Sequence, residues 1–302
     1  MQVYLPIAEM SADALLLVGI GFGVGWLSGL FGVGGGFLLT PLLILIGIPS
    51  TVAVASGANQ TLGASVSGLI AQWQRGNVDV RMGGVLLAGG LLGSFGGVQL
   101  FALLRRVGQV DLAVSLFYVV VLGTVGVLMV MESVRAIVRR RRAVQRRLHA
   151  HYWMHGLPLK ARFRKSRLYI SVIPPALVGF GIGLLSAVMG VGGGFMLVPA
   201  MIYLIGMPTA VVIGTSLFQV VFVAANVTLL QAVQVGSVDI LLTLLLLGGG
   251  VAGAQFGAAM GTRLRGEETR ALLGLMVLGV ALSLLWGLVR RPENLFSLGP
   301  AL

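Results

Sequence analysis

One block occurs twice in this chain, and both copies lie inside apolar sequence. Residues 21–41 read GFGVGWLSGLFGVGGGFLLTP and residues 179–199 read GFGIGLLSAVMGVGGGFMLVP, identical at 14 of 21 positions. Allowing single-residue shifts, the correspondence continues downstream. Gly47-Ile48-Pro49 meets Gly206-Met207-Pro208, Gln60 meets Gln219, and Gly76-Asn77-Val78-Asp79 meets Gly236-Ser237-Val238-Asp239. Gly89, Gly93 and Gly97 then meet Gly249, Gly253 and Gly257. A chain duplicated in this way builds one architecture from two related halves. The glycine cluster is not a phosphate loop, because it lacks the Lys-Ser/Thr ending and sits among apolar segments rather than after a strand.

The repeats are embedded in a chain that is 57% hydrophobic and 10% charged over 302 residues, against about 25% charged in soluble domains. Each half carries five apolar segments, near 12–31, 35–48, 51–72, 81–104 and 111–131, then 169–189, 194–207, 209–234, 238–261 and 269–289. Most match the roughly 20 residues needed to cross a hydrocarbon core. The fold class is therefore an all-α polytopic membrane protein of two homologous halves. The expected organisation is a first transmembrane repeat over 1–131, a basic cytoplasmic loop over 132–168 and a second repeat over 169–302. The N-terminus lacks the basic residues of a cleaved signal, so the first apolar stretch is read as a retained span.

Charge is localised. The net charge is +12, and residues 132–168 hold 12 of the 21 Lys and Arg, including Arg139-Arg140-Arg141-Arg142. In a membrane protein such a loop marks the cytoplasmic side and meets anionic lipid headgroups, so no nucleic-acid partner is expected. The positive-inside rule does not orient the repeats. Five spans per half give inverted repeats with 17 of 21 positive charges inside, whereas four spans with re-entrant short segments give parallel repeats with 16 of 21. The acidic Glu9 and Asp13 near the N-terminus favour inverted repeats.

The second segment of each half is short, beginning at the triple glycine and ending at Gly-x-Pro, which predicts a broken or re-entrant helix at equivalent places. Paired interrupted segments are where transporters place their binding sites. The amides of Gly34, Gly35 and Gly36, with those of Gly192, Gly193 and Gly194, are candidate donors to an anion at a helix start. Neutral polar residues follow: Ser56, Asn59, Gln60, Thr61 and Ser67 in the first half, Thr215, Ser216, Gln219, Asn226 and Thr228 in the second. Amide and hydroxyl donors suit an oxyanion. Ser67 and Asn226 read instead as interhelical hydrogen bonding. Glycines at four-residue spacing (Gly21, Gly25, Gly29; 89–97; 249–257) read as close helix packing, and Asp79 and Asp239 as N-caps.

All nine acids fall at segment ends or in loops, the chain has no cysteine, and His149, His151 and His155 all lie in the basic loop. No nucleophile, base or metal ligand stands mid-span, so neither an enzyme nor a cofactor or metal site is expected.

At GLFGVGGGFLLTPLLILIGIP and its second copy the chain resembles the TauE/SafE sulfite exporter family, over roughly residues 12–131 and 169–289. The stretch GANQTLG departs from the Gly-Thr-Ser type seen in the second half at GTSLFQ. The resemblance implies export of a small anion across a bacterial inner membrane, sulfite or an organosulfonate such as sulfoacetate. Partners are then the oxyanion and membrane lipids, and a homodimer is allowed. With no mid-span acid or histidine, potential-driven uniport is the expected energy source, and sodium held by carbonyls and hydroxyls the second option. Two other readings are a membrane scaffold whose basic loop docks a partner, and an importer of a related anion.

Overall fold

The computed structural model describes residues 2–31, 35–140, 158–163, 165–166, 168–261 and 266–289. Ten helices are described: α1 (Ala14–Phe31), α2 (Gly36–Leu45), α3 (Ser50–Gln74), α4 (Val80–Arg106), α5 (Val110–Arg140), α6 (Ile173–Met189), α7 (Gly194–Ala200), α8 (Thr209–Leu230), α9 (Ile240–Gly261) and α10 (Gly266–Val289). Those from α6 onward repeat the first five in order. Among the described residues five stretches are long and apolar enough to cross a membrane: Val80–Arg106, Val110–Met131, Val211–Val235, Ile240–Gly257 and Leu272–Val289. Leu15, Leu92, Leu244 and Trp286 face outward, as expected where lipid replaces water. His149, His151, His155, Arg263 and Arg265 lie outside the described residues.

The short second segments are helices of limited length, as expected. α2 holds Pro41, and α7 holds Pro199 and loosens into a π-helical turn, Met201–Ile205, that ends at left-handed Gly206. A second π turn, Gln231–Val235, ends α8.

Glycine stripes set the main contacts. α1 packs along α9 and α4 along α6. A Cβ on Gly25 would strike the backbone of Gly250, one on Gly29 that of Ala254, and one on Gly253 that of Phe22. In the other pair Gly93 meets Phe180 and Gly183 meets Gly90, backbone to backbone. Residue numbers rise together in both pairs, so each crossing is parallel. Without a hydrophobic driving force in lipid, this close backbone approach is what holds such helices together.

The α5–α10 pair orients the halves. Gly126 lies against Leu278, and Gly274 lies against Met129 and Val130. As one number rises the other falls, so these equivalent helices run antiparallel. Two repeats whose matching helices oppose one another are inverted, which charge counting alone did not establish. Lys165 Nζ also donates to Gly76 O at 3.2 Å, placing the end of the basic segment on the α3–α4 turn beside Arg75 and Arg81.

One β-hairpin precedes the first helix of each half, and the apolar pattern did not predict either. β1 (Gln2–Leu5) pairs with β2 (Met10–Asp13), and β3 (Lys160–Phe163) with β4 (Leu168–Ser171), both antiparallel. Each hairpin is tied to the start of the other half's fourth helix. Asp79 caps α4 by accepting from Met82 N–H at 3.2 Å, and its other oxygen accepts from Ser166 N–H (3.0 Å) and Oγ–H (2.6 Å). Asp239 accepts from Leu241 and Leu242 N–H, both at 3.1 Å, and from Ile7 N–H at 3.0 Å. Both carboxylates act as the expected N-caps.

Candidate functional site

The two glycine loops meet between α3 and α8. In the second, Gly190, Gly192 and Gly193 all have φ between +70° and +75°, a conformation that side chains other than glycine's resist. Space enforces the same choice. A Cβ on Gly190 would strike Val54 O, and one on Gly192 would strike Thr61. Gly36 of the first loop lies against Gly190 O. The next residues, Phe37 and Phe195, stack with ring centroids 5.4 Å apart.

The equivalent loops differ in the state of their amides. Gly36 N–H donates to Thr61 Oγ1 at 3.0 Å, and the Thr61 hydroxyl donates to Gly57 O at 2.9 Å, with Val191 O at 3.4 Å. In α7 the first amides with a helical acceptor are those of Met196 and Leu197, which donate to Gly193 O. Gly194 and Phe195 N–H therefore have no acceptor among the described residues, as the first turn of a helix requires. Gly193, the N-cap of α7, is left-handed (φ 75°). Its counterpart Gly35, the N-cap of α2, is right-handed (φ −76°). Gly34 lies outside the described residues.

The glutamines occupy matching places. Gln60 packs over Gly250, and its Nε2 donates to Gly21 O at 3.3 Å. Gln219 packs over Gly90. Each is only 1% exposed, and each leaves its Oε1 with no partner among the described residues. Gln60 Oε1 lies 3.3 Å from where a Cβ of residue 35 would stand, beside the first glycine loop.

The remaining polar residues are engaged by other hydrogen bonds, two within their own helix and two across helices. Asn59 Nδ2 donates back to Ala55 O at 3.0 Å. Thr215 Oγ1 accepts from Asp79 N–H at 3.0 Å, so Thr215 stands at the start of α4. Ser216 Oγ donates to Ile213 O at 2.9 Å. Asn226 Nδ2 donates to Ser94 Oγ at 2.9 Å, the interhelical role expected of it.

Two residues hold the loops, Thr61, which the sequence placed in the polar cluster after the first broken helix, and Tyr118, of which it carried no sign. Thr61 links Gly36, Gly57 and Val191, and its repeat counterpart is Val220. Tyr118 of α5 is fully buried. Its hydroxyl donates to Met189 O at 2.5 Å, just before the second loop. Among the described residues the buried charged groups are Asp79 and Asp239, both at helix starts rather than at the loops.

Inverted halves, paired broken helices and a neutral, donor-bearing centre are the construction of a membrane transporter. The family model of the sulfite exporter TauE/SafE matches residues 17–284, and the chain belongs to that family. It is 30% identical over 277 residues, 90% of this chain and 95% of the relative, to a probable membrane transporter protein of Xylella fastidiosa (strain 9a5c). It is 26% identical over 279 residues, 91% of this chain and all of the relative, to the probable membrane transporter protein YjnA of Bacillus subtilis (strain 168). No solved structure matches the chain.

Proposed function

We propose that this transporter exports a small oxyanion, sulfite or an organosulfonate such as sulfoacetate, across the bacterial inner membrane. The observation carrying the reading is the unpaired amide pair of Gly194 and Phe195, set behind left-handed Gly192 and Gly193 among buried residues. Backbone donors at a helix start favour an anion without a charged side chain. Gly34, Gly35, Gly36, Gln60 and Gln219 complete the proposed site, with Asn59, Thr215 and Ser216 behind it. The site lies within one chain, so transport is proposed whether that chain is alone or in a homodimer.

The end bearing the basic segment, Arg75 and Arg81 is proposed as cytoplasmic by the positive-inside rule. An interior-negative potential contributes about 2.3 kcal/mol per charge per 100 mV toward anion exit, which suffices for uniport.

The test is efflux of sulfite and sulfoacetate from proteoliposomes with the potential set by potassium and valinomycin. Saturable efflux that steepens with interior-negative potential supports the reading. Absence of flux of either anion from folded protein overturns it. Deleting 141–157, which spares the β3–β4 hairpin held by Asp79, leaves flux intact in a transporter and removes function in a scaffold.

A further inference from the structure

We infer that the two hairpins, with the apolar side chains beneath them, are the transporter's two gates, and that the β1–β2 gate is the weaker. The inference rests on the transporter class and on no particular cargo.

The hairpins are repeat partners. Gln2 corresponds to Lys160 and Asp13 to Ser171, and both hairpins keep one register, Gln2 opposite Asp13 and Lys160 opposite Ser171. Because the halves are inverted, they lie at opposite ends of the molecule. Under each, a buried apolar cluster reaches a glycine loop. At the β3–β4 end Phe163 and Ile170 share a cluster with Leu197 and Ile182, and a Cβ on Gly193 would strike Ile182. At the β1–β2 end Leu5, Leu39 and Val24 lie in one cluster, and Val24 is the nearest neighbour of a Cβ on Gly35. Leu5, Phe163, Leu39 and Leu197 are at most 2% exposed, so both ends are shut. Alternating access opens each end in turn around one site, and opening either wets its cluster.

The clusters are unequal. Four positions carry a larger side chain at the β3–β4 end: Phe163 for Leu5, Ile170 for Ala12, Ile182 for Val24 and Val212 for Ala53. Leu197 matches Leu39, and Met82, Met201 and Met207 replace Leu242, Leu43 and Ile48 at similar volume.

One side chain has no counterpart. Between Pro41 and Gly47 the chain is one residue shorter than between Pro199 and Gly206. Ile48 N–H donates to Leu43 O, whereas its equivalent, Met207 N–H, reaches Met201 O across one residue more. The π turn Met201–Ile205 takes up the insertion, as the wider spacing of a π turn allows. It adds Ile205, 3% exposed, to the β3–β4 cluster.

The hydrogen bonds differ in the same sense. Ser166 gives Asp79 both its N–H and its hydroxyl, but its counterpart Ala8 has no hydroxyl, and Asp239 holds its hairpin by the N–H of Ile7. Lys165 Nζ donates to Gly76 O, whereas its counterpart is the apolar Ile7. Thr215 Oγ1 accepts from Asp79 N–H, whereas the equivalent Ser56 Oγ has no partner among the described residues. Each net hydrogen bond and each buried methylene adds to the work of opening. The resting protein therefore opens more often at the β1–β2 end, away from the basic segment.

The test is hydrogen exchange of the purified, cargo-free protein in detergent, read by mass spectrometry on peptides covering each hairpin and corrected for intrinsic rates. The β1–β2 amides are expected to exchange about tenfold faster than their β3–β4 equivalents, the worth of one or two net hydrogen bonds. Ser166→Ala, checked for a monodisperse size-exclusion peak, should speed exchange in β3–β4 alone. The chain has no cysteine, so single thiols report the clusters directly. Maleimide should reach Leu39→Cys about tenfold faster than Leu197→Cys, each normalised to its unfolded chain. Exchange in β1–β2 no faster than in β3–β4 overturns the inference, as does a Leu197→Cys thiol that reacts as fast as Leu39→Cys. So does a Ser166→Ala variant that loosens both hairpins alike, or exchange at both by global unfolding only, since neither hairpin then acts as a gate. No flux is measured, so failed sulfite efflux leaves this inference standing, and its failure leaves the export reading standing.

Discussion

Gly25→Ala and Gly23→Ala add the same methyl group two residues apart on α1, and they should move stability in opposite directions. At Gly25 the new Cβ would overlap Gly250 O and lie 2.7 Å from Gly250 C and Cα. All three are backbone atoms, so no side chain can rotate away and α1 must withdraw from α9. Withdrawal loosens every close contact of that crossing at once, including those of Gly21, Gly29, Gly249 and Gly257. Overpacking a well-packed contact costs about 1–3 kcal/mol. In lipid no hydrophobic gain offsets the loss of packing, so about 3 kcal/mol is expected, more than a hundredfold in the folded ratio. At Gly23 a Cβ finds nothing within 4 Å. There the helix should gain about 0.5–1 kcal/mol from alanine's smaller loss of backbone freedom. The assay is thermal melting of detergent-solubilised protein, followed by the loss of the monodisperse size-exclusion peak. A Gly25→Ala variant as stable as the parent, or a Gly23→Ala variant equally damaged, would refute the claim that backbone contact holds this crossing.

Thr61→Val keeps the methyl group beside Gly192 but orphans the Gly36 amide, and should cost about 1–3 kcal/mol in the same melt; Thr61→Ser should restore most of it. Tyr118→Phe leaves Met189 O without its donor, with an expected loss of about 1–3 kcal/mol and slower anion efflux, since the second loop is then less firmly held. Asp79→Ala removes the cap of α4 and the acceptor of Ser166 together. It should cost about 2–4 kcal/mol and admit trypsin at Lys160, Arg162 or Lys165 in limited proteolysis; unchanged cleavage would mean that the hairpin is held by other contacts.

The sequence disclosed whatever depends on apolar length and on repetition. Most helix limits fell close to expectation because a span ends where charge, glycine or proline begins, as at Gly47-Ile48-Pro49 and its counterpart; α5 is the exception, continuing past the apolar stretch to Arg140 through the first residues expected to be loop. The glycine stripes were legible because a four-residue spacing on an apolar helix has one physical use. Features built by contact at a distance were not legible. The hairpins are short and carry no long apolar alternation, and what holds them is the second oxygen of Asp79 and of Asp239, whose first oxygen accounts for the N-cap signal. Repeat orientation was hidden for a related reason, since inverted and parallel halves carry nearly the same charge count. It is settled by which residues of α5 and α10 touch.

The site shows where repeat logic stops. Comparing halves singles out residues that match, and so it points to the glutamines and the glycines. What separates the two loops is a mismatch. Thr61 supplies a hydroxyl to the Gly36 amide, whereas its counterpart Val220 has none to offer, so the amide of Gly194 stays unpaired. The backbone differs as well: Gly35 and Gly193 occupy matching positions with φ of opposite sign. Only glycine accepts both signs at little cost, so the identical GVGGGF blocks permit two different loop shapes. Duplication thus made the glycine loop twice, and one difference on the facing helix, Thr61 against Val220, accompanies the held amide of Gly36 and the unpaired amide of Gly194.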